Sequence, residues 1–191
     1  KEKPLYWTAS VWDVPSLEFL LTYDVPFIKI PSAKLMEHEL IKLASQSGKP
    51  VILSTGMSTI EEIDEAVEIL EKHSKGDYAL MHTHSTYPAP VDELNLRVIN
   101  VLRERYDCII GYSGHEQGLG PTVIAVSLGA EVIERHITLD HNMWGSDHAV
   151  SLEVHGMDML YKRIKETKNV LGDGIKRVNK SEMVARKKLR G

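Results

Sequence analysis

The chain has 191 residues, enough for one domain with a substantial core, and its 42% apolar and 26% charged content is that of a globular protein, which excludes a disordered chain. A formal net charge of −4 argues against a general nucleic-acid surface, because such a surface must neutralise many phosphates. The single cysteine, Cys108, excludes an internal disulfide and fits a reducing compartment, and no apolar run is long enough for a membrane span.

Residues 1–4 are charged and lead straight into a strand-like run, a start that reads as free of a signal peptide and points to the cytoplasm. From there one unit recurs six times: a short β-branched or aromatic run, a polar or glycine-bearing turn, then a helical pattern. The strand-like runs are 5–10, 27–31, 51–55, 78–83, 108–113 and 131–136, and their spacing of roughly 22 to 30 residues suits successive βα units. Asp13 before Val14-Pro15-Ser16 reads as an N-cap with proline in the first turn. Ser58 with Glu61 reads as a capping box ahead of an amphipathic helix over 60–72. Further helices are expected over about 36–47, 94–106, 119–128 and 154–171, with Gly48, Gly129 and Gly172 where C-terminal caps belong.

A regular βα series makes either an open doubly wound sheet or a closed eight-stranded barrel. No GxGxxG turn follows the first strand, and polar residues stand at every strand end rather than at one switch point, so the expected fold is α/β, a (β/α)8 TIM barrel with about six of its eight units in this chain. Residues 1–175 form the partial barrel domain. Residues 176–191 form a basic tail or linker, in which Lys176, Arg177, Lys180, Arg186, Lys187, Lys188 and Arg190 face one acid, Glu182.

The strand ends carry Ser10, Lys29 and Ser32, Ser54 and Thr55, Thr83 and Ser85, Ser113 and His115, and Glu134 and His136. One such residue is an ordinary turn former or cap; six ends in a row suggest a shared site. A lysine among converging hydroxyls is a cradle for a phosphate or carboxylate, since each group donates to an anion. Lys29 interrupts the apolar run of 27–30, and burying its charge without a partner would be too costly, so an anionic ligand is the expected partner.

The histidines allow two constellations. His82 and His84 form an HxH pair which, with His115, His136 and Asp147, mimics the metal set of amidohydrolase-type barrels, in which a metal-bound hydroxide cleaves an amide or ester. Strand parity argues against it: if Thr83, Ser85 and Tyr87 face the lumen, His82 and His84 face the helices. His115 shares parity with Ser113, and His136 with Glu134. Two imidazoles with open positions for oxygen suit a Lewis-acid divalent ion, Mn²⁺ or Mg²⁺ rather than structural zinc. Beyond the strands, the turn 87–90 sets Tyr87 at the mouth, 114–120 is a flexible glycine-bearing segment, and 139–149, with Asp147, is long enough to be a binding loop.

The segments FIKIPSAKL (27–35), GKPVILSTGM (48–57), STYPAP (85–90), GYSGHEQG (111–118), LGAEVIERHITLD (128–140), SDHAVSLE (146–153) and LGDGIKR (171–177) resemble, in order, the sialic acid synthase family. The resemblance implies an eight-stranded βα barrel that condenses phosphoenolpyruvate with an N-acetylmannosamine-type aldehyde, its 6-phosphate or a deoxy diacetamido sugar, releasing phosphate and forming a nonulosonic acid. It puts Lys29, Ser32, Ser54, Thr83, Ser85 and Ser113, with Ser10 where the family usually has threonine, on phosphoenolpyruvate. It puts His115 and His136 on the metal, Mn²⁺ first and Mg²⁺ or Co²⁺ as alternatives, and Tyr87, Glu134 and Asp147 on the sugar. Lys29, His115, Glu134 and His136 are the expected catalytic set, in a homodimer. In family terms the chain starts at the third barrel strand and lacks the strands that bring a catalytic glutamate. It also lacks the C-terminal antifreeze-like domain that sends an arginine into the partner's site. A fragment that only binds metal or phosphoenolpyruvate is the alternative.

Overall fold

A computed structural model describes residues 5–74 and 76–190; the charged start at 1–4 lies outside the described residues. Five parallel strands run β1 (Ile28–Ile30), β2 (Val51–Ser54), β3 (Tyr78–Thr83), β4 (Ile109–Gly114) and β5 (Val132–Arg135), each paired with the next in chain order. Strand order that follows chain order without reversal is barrel topology, whereas a doubly wound sheet turns back at a switch point. The sheet is a sector of a barrel: β1 and β5 are its two edges and do not pair with each other.

The helices are α1 (Val14–Leu20), α2 (His38–Gln46), α3 (Ile60–His73), α4 (Val98–Arg105), α5 (Gly120–Ser127) and α6 (Val154–Leu171), with a final α7 (Met183–Arg190) in the basic tail. Helices α1 to α5 pack on the outer face of the sheet, where Ile28, Ile30, Val51, Leu53, Leu80, Ile110 and Tyr112 join residues such as Leu40, Ile63, Leu70, Ile99 and Ala125 in one buried core. The opposite parity faces inward in two layers. Phe27, Ile52, Met81 and Val132 line an apolar lower layer partly covered by α6, and Lys29, Ser54, Thr83, Ser113 and Glu134 form a polar layer at the C-terminal strand ends. After β5 the chain adds a two-stranded parallel ladder, β6 (Ile137–Thr138) with β7 (Leu152–Glu153). No helix among the described residues is long and apolar enough to cross a membrane.

Four expectations are corrected. The run 5–10 is not a strand: only Ser10 bridges to Lys29, helped by Val11 N donating to the Lys29 carbonyl at 2.9 Å. Its Leu5, Tyr6 and Trp7 are exposed, so the burial that would hold an extended run against β1 is missing. Of the about six βα units expected of an incomplete eight-unit barrel, five strands therefore form the sheet in this chain. The capping box of α3 is Thr59 with Glu62, one residue later than expected, because the Ser58 hydroxyl instead donates to the Gly56 carbonyl. Helices α2 and α4 start late, α2 after a 3-10 turn at Ser32–Lys34 and α4 after Asn95, whose φ of 41° breaks helical geometry.

Candidate active site

Ser10, Lys29, Ser32, Ser54, Thr83, Ser85, Tyr87, Ser113, His115, Glu134, His136 and Asp147 all line one cavity of about 420 Å³ at the C-terminal ends of the strands. They come from every strand of the sheet and from the loops that follow, which is what inward parity on successive parallel strands produces.

Lys29 sits at the bottom of this polar layer, 7% exposed. Its ammonium donates to Ser54 Oγ at 2.6 Å and lies 3.5 Å from Glu134 Oε2. Burial pulls the Lys29 pKa down, and the Glu134 carboxylate pushes it back up. Its charge therefore has a partner within the chain, contrary to the expectation that an anionic ligand must supply one. Glu134 links the two halves of the site, since its Oε1 accepts from Ser113 Oγ at 2.7 Å. On the opposite wall Ser32 Oγ accepts from Gly56 N at 3.0 Å. A Cβ at position 56 would stand 2.9 Å from both Ser32 Oγ and Thr83 Cγ2, so this backbone approach requires glycine.

His115 is buried, and its tautomer is set by geometry. Nδ1 lies 2.6 Å from the His84 carbonyl, which can only accept, so Nδ1 carries the proton and Nε2 is left with its lone pair. Tyr87 OH at 3.1 Å and Ser113 Oγ at 3.3 Å approach Nε2. Burial lowers the His115 pKa, against the opposing pull of the His84 carbonyl. The Tyr87 ring stacks on His115 with centroids 4.2 Å apart, held there by a loop whose Ala89 N donates to the His115 carbonyl at 3.0 Å. Burial raises the Tyr87 pKa, with the Asp147 and Glu134 charges adding to it. His136 stands edge-on to His115 at 5.3 Å between centroids, and its Nδ1 is 3.4 Å from Asp147 Oδ2.

These two imidazoles fit a divalent ion in their chemistry: in His115 a backbone carbonyl fixes Nδ1–H, leaving the lone pair on Nε2 directed into the cavity, which is how a ligating histidine is held. No group of three or more His, Cys, Asp or Glu side chains among the described residues is arranged to hold a metal. A site built on His115 and His136 would thus take its remaining donors from water or substrate oxygen. The HxH pair is not part of it. His82 Nε2 donates to the Leu94 carbonyl at 2.8 Å, and His84 Nε2 faces Glu93 at 3.1 Å, both outside the cavity.

Trp12, Pro31, Ala33 and Met57 also line the cavity and were not expected there. Trp12 and Met57 are largely exposed, and Met57 has a φ of 60°, an uncommon conformation for a residue with a side chain. The other omission is the buried pair of Glu116 and Arg135 behind the strand ends. A complementary acid and base of helix-facing parity at the ends of adjacent strands was the signal that could have revealed it.

The chain is 38% identical over 176 residues to N,N'-diacetyllegionaminic acid synthase of Campylobacter jejuni, a match covering 91% of this chain and 53% of that protein. It is 43% identical over 169 residues to N-acetylneuraminate-9-phosphate synthase of Drosophila melanogaster, covering 88% and 45%. Its fold superposes on the crystal structure of N-acetylneuraminic acid synthetase from Leptospira borgpetersenii in complex with citrate, with a TM-score of 0.84 at 35% identity over 94% of this chain and 64% of that one. The chain spans about half the length of these curated relatives. With the NeuB family profile matching residues 1–176 and the strand-end cavity in place, this chain belongs to the NeuB family.

Proposed function

We propose that the cavity is where phosphoenolpyruvate condenses with an amino-sugar aldehyde of the N-acetylmannosamine type, forming a nonulosonic acid and releasing phosphate. The observation that carries this reading is the convergence of one lysine, a ring of hydroxyls and two adjacent histidines in a single cavity of a NeuB-family chain. Relatives that bear the names of legionaminic and N-acetylneuraminate-9-phosphate synthases support the product class and leave the sugar open.

In this reading Lys29 and the hydroxyls of Ser10, Ser32, Ser54, Thr83, Ser85 and Ser113 hold the phosphate and carboxylate, because ammonium and hydroxyl groups all donate to anionic oxygens. Tyr87, Glu134 and Asp147 orient the aldehyde over C3 of the enol, so that the new C–C bond forms between two held partners. Water then adds at C2 and phosphate leaves with C–O cleavage. A divalent ion on His115 and His136, Mn²⁺ before Mg²⁺ or Co²⁺, would supply Lewis-acid polarisation of the aldehyde oxygen. Glu134, which accepts from Ser113 and lies close to Lys29, would tie the sugar side of the site to the phosphoenolpyruvate side.

A second reading follows from the chain's span of about half its relatives: the chain binds phosphoenolpyruvate and metal without turning over. One assay tests both. The chain is mixed with phosphoenolpyruvate, N-acetylmannosamine and Mn²⁺, and inorganic phosphate is followed. Phosphate release that needs all three components is the expected result. Binding of phosphoenolpyruvate without release selects the second reading, and neither binding nor release contradicts both.

A further inference from the structure

Behind the cavity, on the helix-facing side of the same two strand ends, lies a charge pair that the reading above does not use. Glu116 is fully buried, and the Arg135 side chain is 2% exposed. Arg135 Nη1 donates to Glu116 Oε1 at 3.0 Å, Thr122 Oγ1 at 2.8 Å and the Gly118 carbonyl at 2.9 Å, and Nη2 donates to the Glu116 carbonyl at 2.7 Å. Glu116 in turn accepts from Tyr112 OH at 2.8 Å and Thr122 Oγ1 at 3.0 Å. Arg135 Nε is buried with no partner. A buried ion pair is a weak way to gain stability, since desolvation offsets its attraction. What the guanidinium fork does supply is direction: it fixes the atoms it grips in one geometry.

Those atoms belong to the segment that carries the histidines. The β4–β5 ladder ends at Gly114 opposite Arg135, so His115 and His136 lie one residue beyond the last ladder pair. Glu116 follows His115, and Arg135 precedes His136; alternation turns the pair toward the helices and the histidines into the cavity. Arg135 thus holds two carbonyls of the loop just past His115 while its own backbone leads into His136. Gly114 makes room for this, since a Cβ there would fall 2.7 Å from Glu116 Oε2 and 2.9 Å from Arg135 Cδ.

We propose that Glu116 and Arg135 are a positioning pair that fixes the separation and orientation of His115 and His136 toward one divalent cation. The proposal rests on the reading of those histidines as metal ligands. The two claims separate in one experiment on this chain, in which Mn²⁺ affinity is measured by electron paramagnetic resonance for the parent, H115A, R135K and the double variant E116L/R135M. The double variant removes both charges at similar volume, so it should fold with a thermal midpoint within a few degrees of the parent. Its Mn²⁺ affinity should nonetheless fall about 10- to 100-fold, the usual effect of losing groups that orient ligands. The imidazole NMR signals of His115 and His136 should shift in the metal-free protein, while amide signals of β1 to β3 stay in place. R135K, which keeps the charge and loses the second grip on the loop, should fall in the same direction. It carries the comparison if the double variant unfolds. Parent-like Mn²⁺ affinity in folded E116L/R135M or R135K, with H115A non-binding, overturns the positioning role alone. A parent that does not bind Mn²⁺, or H115A that binds like the parent, overturns the metal reading and this proposal with it.

Discussion

At the residue scale, alternation did most of the work of finding the site. Thr83, Ser113 and Glu134 occupy one registered row across β3, β4 and β5, and with Lys29 and Ser54 they form the polar layer of the cavity. The same alternation sent His82 outward, where it is partly buried against Tyr112 and donates to the Leu94 carbonyl. Burial lowers the His82 pKa below the ordinary imidazole value of 6.5, the hydrogen bond to Leu94 and the neighbouring His84 being smaller influences. The unfolded chain then binds the proton more readily, so this histidine's contribution to stability is complete above pH 6.5 and is lost as pH falls through that value toward its folded pKa. Urea unfolding at neutral and mildly acidic pH should show stability falling with acid, and H82Q, whose amide can still donate to Leu94, should show a smaller fall. An equal fall in both would remove His82 as a contributor. What the residues could not reveal was contact made by a missing side chain: Gly56 is required because Ser32, in the turn after β1, and Thr83, at the end of β3, close on it.

At the element scale, helix signals located elements well and their first residues less well. The start of α1 was legible because Asp13, Pro15 and Ser16 all act locally, with Ser16 N donating to Asp13 Oδ1 at 2.8 Å. The start of α3 was ambiguous because both Ser58 with Glu61 and Thr59 with Glu62 have capping-box spacing, and the choice is made by the Gly56 carbonyl that engages Ser58. Thr59→Ala should cost about 1 kcal/mol in chemical denaturation, the usual worth of a side-chain cap, and Ser58→Ala should cost much less. The reverse order would restore the earlier register. The run 5–10 shows the limit of reading strands from composition. Its residues have strand character, yet Leu5 and Tyr6 stay exposed and Trp7 meets the Tyr23 ring edge-on rather than a neighbouring strand.

At the scale of the whole molecule, strand order and spacing were readable because each βα unit folds back beside its predecessor, so chain order becomes sheet order. The open edges were readable too: about six units are fewer than the eight that close a barrel, and here β1 and β5 stand apart. The sector still brings together all the residues expected at the site, since a strand end needs only its neighbours to be placed. The cradle around Lys29 and the histidine pair are therefore both present in this chain, joined through Glu134 and Ser113.

The central claim is that this cavity holds phosphoenolpyruvate through Lys29, and calorimetric titration of the chain with phosphoenolpyruvate, beside its Lys29→Met variant, tests it most directly. Loss of charge-assisted hydrogen bonds worth about 1.5 to 3 kcal/mol predicts affinity weakened roughly ten- to a hundred-fold, with the fold retained. Equal affinity in the two proteins would contradict the account.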